Sequence, residues 1–165
     1  MSKKATKAAD NIYYIARSET AERDDAYNSR EKASEIMGID RTRLARIELG
    51  SVCPYPEEVL IMADRYNKPE LCNHYCATDC PNGRGNVKKV ELDDFDRLSL
   101  KALGSLKDVD SIRESLIAIS EDGVVDNSEL QDFEQILEAL DKISTTAQAL
   151  SIWTKKNIKN RKQSQ

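Results

Sequence analysis

An all-α fold in two parts is what this sequence predicts: a five-helix amino-terminal domain followed by a carboxy-terminal helical hairpin or bundle. Three observations carry it. Apolar residues recur at spacings of three and four through most of the chain. Paired helix start and stop signals bracket short segments between residues 29 and 80. A stretch with two glycines and a proline, residues 81–90, separates regions of different charge. The expected limits are a domain over residues 8–80, a linker over 81–90, a helical dimerisation region over 91–158 and a basic tail over 159–165.

The 165 residues suit one domain or two small ones, and a hydrophobic share of 39% is enough for a modest core. With a formal net charge of −4, the chain is not basic enough to bind nucleic acid over its whole surface, so any such contact must come from a local patch. Residues 29–46 hold five basic and three acidic side chains, and residues 155–165 hold five basic and no acidic ones. Residues 91–141 hold fifteen acidic against four basic. This acidic region would repel DNA and should face away from it. No apolar run reaches membrane-spanning length, and the basic amino terminus has no apolar segment behind it. A cytoplasmic protein with neither signal peptide nor membrane partner is expected.

The first helix is expected over residues 8–19, with Ile12, Ile15 and one or both of Tyr13 and Tyr14 turned inward. Residues 20–28, TAERDDAYN, lack periodicity and form either an extra turn or a loop in which Arg23 reaches a phosphate. Ser29 caps the second helix, with Asn28 a competing cap that would place Glu31 in the capping-box position; Gly38 ends that helix in a left-handed conformation. Ile39 is the buried residue of the turn, Asp40 caps the third helix, and Leu44 and Ile47 continue its inward face. Arg41, Thr42, Arg43, Ala45 and Arg46 are left outward, a basic face with no acidic residue on it. Such a helix suits the major groove, where guanidinium groups reach guanine edges and phosphates; a solvated arginine face on an ordinary helical hairpin is the plainer alternative. After a loop with two prolines, a fourth helix over residues 57–66 turns Val59, Leu60, Met62 and Ala63 inward, and Pro69 opens a short fifth.

This constellation resembles the helix-turn-helix of the Cro and phage-repressor family, also called the xenobiotic-response-element (XRE) family. The residues that carry the likeness are Arg30, Ala33, Ser34, Gly38 with Ile39, Leu44 with Ile47, and Glu48, Gly50 and Pro54. The aliphatic helix of Val59, Leu60, Met62 and Ala63 completes it, so the match spans residues 11–70. It departs from the family at Ser34, where alanine is usual, and in a longer connection before Ser29. The resemblance implies a transcriptional regulator, a dimeric repressor of phage or mobile-element type on a double-stranded DNA operator. On that reading Arg41, Thr42 and Arg46 contact bases, Arg30 and Arg43 contact the DNA backbone, and Arg17 forms a structural salt bridge with Glu48.

Cys72, Cys76 and Cys80 are spaced i, i+4, i+8 along the fifth helix, with Cys53 in the preceding loop and His74 nearby. Four thiols suggest zinc, an iron–sulfur cluster or a redox pair. Three thiols stacked along a helix span too far for one ion unless the helix ends before Cys80, and small core residues are the simpler reading. No metal or other cofactor is expected.

Beyond the linker, a helix over residues 92–106 should turn Phe95, Leu98, Ala102 and Leu106 inward, and a second over 111–121 Ile112, Leu116 and Ile119. Asp126 and Glu129 have capping-box spacing and open a third that runs past Trp153; its stripe needs partners, two from its own chain and a second subunit. Between the last two lies EDGVVDNSE, similar to the second half of a calcium-binding loop, with Asp122, Gly123, Val125, Asp126 and Glu129 in place, but Ala118 falls on the leading carboxylate position. A turn is expected there. One histidine, no phosphate loop and no recognisable nucleophile leave no enzyme constellation. The alternative to a DNA-binding regulator is a protein-interaction module, an antitoxin or inhibitor, that uses the acidic carboxy-terminal helices.

Overall fold

The computed structural model describes residues 8–120 and 129–163, with side chains to residue 158. Among the described residues every regular element is helical, as expected, and no helix is long and apolar enough to cross a membrane. The chain divides into two compact units, Met1–Lys89 and Val90–Gln165.

In the first unit, α1 (Ile12–Ala21), α2 (Arg30–Met37), α3 (Arg41–Glu48), α4 (Pro56–Arg65) and α5 (Glu70–Thr78) enclose one core. Leu44, Ile47, Met62, Tyr66 and Leu71 are its largest fully buried members. α1 starts four residues later than expected because Asn11 caps it, its Oδ1 accepting from the Tyr13 and Tyr14 N–H groups. The segment after α1 is ordered: Asp24 caps a single 3₁₀ turn, Asp25–Tyr27, that drives Tyr27 into the core. Ser29 is the cap of α2, its Oγ accepting from the Lys32 N–H at 3.2 Å. Gly38 then turns the chain at φ +65°, and Asp40 caps α3 by accepting from the Arg43 N–H at 2.9 Å.

α3 ends in a Schellman turn, with Gly50 at φ +69° and the Ser51 N–H donating to the Arg46 carbonyl at 2.8 Å. α4 ends the same way around Asn67 at φ +52°. Leu60, expected inward, is 61% exposed, since Val59, Met62 and Ala63 already fill the buried face of α4 and Leu60 points away from it.

Residues 81–89, expected as a linker, fold back on α5. Gly83 and Arg84 donate from their N–H groups to the Cys80 carbonyl, Arg84 Nε donates to the Thr78 carbonyl, and Asn73 Nδ2 donates to the Lys88 carbonyl. Gly83 is buried so closely that an added Cβ would lie 2.1 Å from the Cys76 carbonyl oxygen.

In the second unit α6 (Phe95–Ser105) and α7 (Val109–Ser120) both pack on the 34-residue α8 (Leu130–Gln163). Val90, Leu98 and Ala149 are its buried cluster, flanked by Leu92, Leu150, Ile152 and Trp153. Phe95 lies 5.0 Å from the Trp153 ring but stays half exposed. Leu106 and Leu116, expected inward, are exposed, as are Leu137 and Leu140. The calcium-loop-like segment and the Asp126 cap fall in residues 121–128, outside the described residues.

Candidate nucleic-acid interface

α2, the Gly38 turn and α3 form a helical hairpin braced from within by charge. Glu48, the last residue of α3, has no exposed surface and accepts from two arginines. Arg17 of α1 donates through Nε to Oε1 at 2.5 Å and through Nη2 to Oε2 at 3.1 Å. Its Nη1 donates to the Tyr27 carbonyl at 2.9 Å. Arg30 of α2 donates to Oε2 of the same carboxylate at 2.6 Å. One buried carboxylate thus ties α1, α2, α3 and the 3₁₀ turn together. The structure brings Arg17 and Glu48 together, and it adds Arg30, which the sequence reading placed on DNA.

Arg43, the other arginine assigned to the DNA backbone, is also engaged inside the protein. Its Nη2 donates to Glu58 Oε2 at 2.8 Å, its Nε donates to Oε1, and the guanidinium carbon lies 3.9 Å from the Tyr55 ring centroid. Glu58 accepts the Tyr55 N–H at 2.7 Å as well. Burial works against the Glu58 charge, but the Arg43 and Tyr55 hydrogen bonds outweigh it and hold the carboxyl below its usual range. Arg43 is therefore a strut between α3 and the start of α4, a role that follows from the fold: Glu58 is fifteen residues away in sequence, and only the loop through Pro54 brings it to α3.

Arg41, Thr42 and Arg46 have a different setting. All three are exposed on α3, and neither arginine takes part in an ion pair among the described residues. The arginines of the hairpin thus divide in two. Those facing other helices are each matched by a carboxylate, and those facing outward keep their charge free.

The thiols do not form a centre. No disulfide joins any of the four cysteines, Cys80 lies beyond the end of α5, and among the described residues no three of His, Cys, Asp and Glu stand close enough to hold a metal ion. Cys72 packs against the core. Desolvation and the Asp79 charge push the Cys53 thiol up, away from the thiolate a redox sensor needs. His74 stacks edge-on against Tyr13 at 6.2 Å, and burial lowers its pKa, which favours the neutral ring.

No family model, curated protein or solved structure matches this chain. The functional reading therefore rests on the geometry of the hairpin.

Proposed function

We propose that the chain is a sequence-specific DNA-binding regulator that docks α3 in the major groove and acts as a dimer, in the manner of a repressor. The observation that carries this reading is the sorting of arginines on and around α3. Structural arginines are consumed by Glu48 and Glu58, while Arg41, Thr42 and Arg46 form a short, outward, unneutralised face on the second helix of the hairpin. Guanidinium groups there reach guanine O6 and N7 or phosphate oxygens, and the Thr42 hydroxyl reaches any base edge. Arg30 and Arg43 act indirectly, by fixing how α3 is presented.

The test is selection from a pool of random duplex DNA at moderate salt. Wild-type protein should enrich an approximately palindromic motif, and Arg41→Ala/Arg46→Ala should lose it. Arg41→Ala alone should weaken specific binding by about 1–3 kcal/mol, the worth of a good base contact. Absence of enrichment by the wild type would reject the reading.

A further inference from the structure

α8 carries a second repeat besides the faces covered by α6 and α7. Leu130, Phe133, Leu137 and Leu140 follow at alternating spacings of three and four, and Ser144, Ala147, Ser151, Thr154 and Ile158 continue the register without a break. These are the a and d positions of a coiled-coil seam. The seam is about 42 Å long at 1.5 Å per residue. It is not spent inside the protomer: Leu130, Leu137, Leu140 and Ile158 are each 42–50% exposed, while the buried residues of α8, Ile136 and Ala149, lie on other faces.

Two properties of the seam choose its occupant and direction. The first is size. Its amino-terminal half is large and its carboxy-terminal half mostly small. If a second α8 runs antiparallel about an axis at Ser144, Leu137 stands opposite Ser151, Leu140 within one residue of Ala147 and Phe133 within one residue of Thr154, so large side chains there oppose small ones, and at the ends Leu130 meets Ile158. A parallel pair would stack small on small through the second half and leave gaps. The second is charge. Residues 130–141 hold four acidic and no basic side chains, and residues 142–163 hold six basic and no acidic ones. Antiparallel pairing lays each acidic half on a basic half, and parallel pairing lays like on like. Beside the seam, the exposed Glu134 would face Lys155 of the second copy, twice by symmetry.

We infer that α8 pairs antiparallel with α8 of a second copy of this chain, about a two-fold axis close to Ser144. The inference gives a geometry to the dimer in the DNA-binding reading and rests on that reading for its purpose; its test uses no DNA, so the two fail separately.

Sedimentation equilibrium of the full chain should show a dimer. Leu137→Asp should abolish it with helicity by circular dichroism unchanged, because the side chain is half exposed in the protomer. Glu134→Lys and Lys155→Glu should each weaken self-association roughly ten-fold, as two attractive pairs become repulsive, and the double exchange should restore it. Ser144→Cys should cross-link the dimer on oxidation above the level that the four native thiols give in the wild type. Ser151→Cys should not, because antiparallel pairing leaves those positions roughly 21 Å apart. A monomer at all concentrations, a dimer indifferent to Leu137→Asp, failure of the double exchange to restore association, or cross-linking through Ser151→Cys would each overturn the inference.

Discussion

Glu48 shows why residues of one chemical type must be judged by what faces them. A carboxylate with no exposed surface is costly unless its oxygens are filled, and here Arg17 and Arg30 fill them. The two arginines are not equivalent. The Arg17 side chain is 8% exposed and also satisfies the Tyr27 carbonyl, whereas Arg30 is 30% exposed and has water as an alternative partner. Glu48→Ala strands a buried guanidinium and should cost about 3–5 kcal/mol in urea unfolding. Arg30→Ala leaves Arg17 on the carboxylate and should cost about 1 kcal/mol or less. Equal losses would show that the triad is not the brace described. The sequence made the pairing of Arg17 with Glu48 legible only through a family resemblance. The engagement of Arg43 by Glu58 was not legible, because an arginine on an outward helical face looks the same in sequence whether a carboxylate awaits it or not.

At the scale of elements, legibility followed the range of the interaction. Ser29, Gly38 and Asp40 act on backbone groups within a few residues, so both ends of α2 and the start of α3 were readable from residue order. Leu60, Leu106 and Leu116 follow the helical period, yet the period says only that a face is apolar, not that an element of the same unit covers it. Residues 81–89 show the same limit. Their glycines and proline signal a connection, but not what that connection packs on, and Gly83 is needed because the backbone passes directly against the Cys76 carbonyl. A comparison of glycine substitutions checks this. Gly83→Ala forces the turn off α5 and should destabilise the first unit by about 1–3 kcal/mol, the usual cost of overpacking. Gly104→Ala, in α6 with open space around its Cβ, should stabilise the second unit by about 0.5–1 kcal/mol through helix propensity. Both are measurable as shifts in urea midpoint, and a neutral Gly83→Ala would mean that the turn is not packed on α5.

For the whole molecule, the two units differ in how completely they bury apolar surface. The first has a contiguous core built from α1 to α5, and among its described residues the second buries little beyond Val90, Leu98, Ile119, Ile136 and Ala149 while Leu100, Leu103, Leu130, Leu137 and Leu140 stay exposed. A small unit with so thin a core gains most of its stability from whatever covers the remaining apolar face, and coverage by a second copy makes that stability depend on protein concentration. The sequence supplies separate reporters: all six tyrosines lie between residues 13 and 75, in the first unit, and the single tryptophan, Trp153, lies in the second. Urea unfolding followed by Trp153 fluorescence should therefore give a midpoint that rises with protein concentration. The transition followed by tyrosine absorbance should come at higher urea and not move with concentration. Leu137→Asp should lower the tryptophan midpoint and remove its concentration dependence while leaving the tyrosine transition in place. Coincident transitions that ignore concentration would mean that the second unit is complete within one chain, and the dimer would have to be sought elsewhere on the molecule.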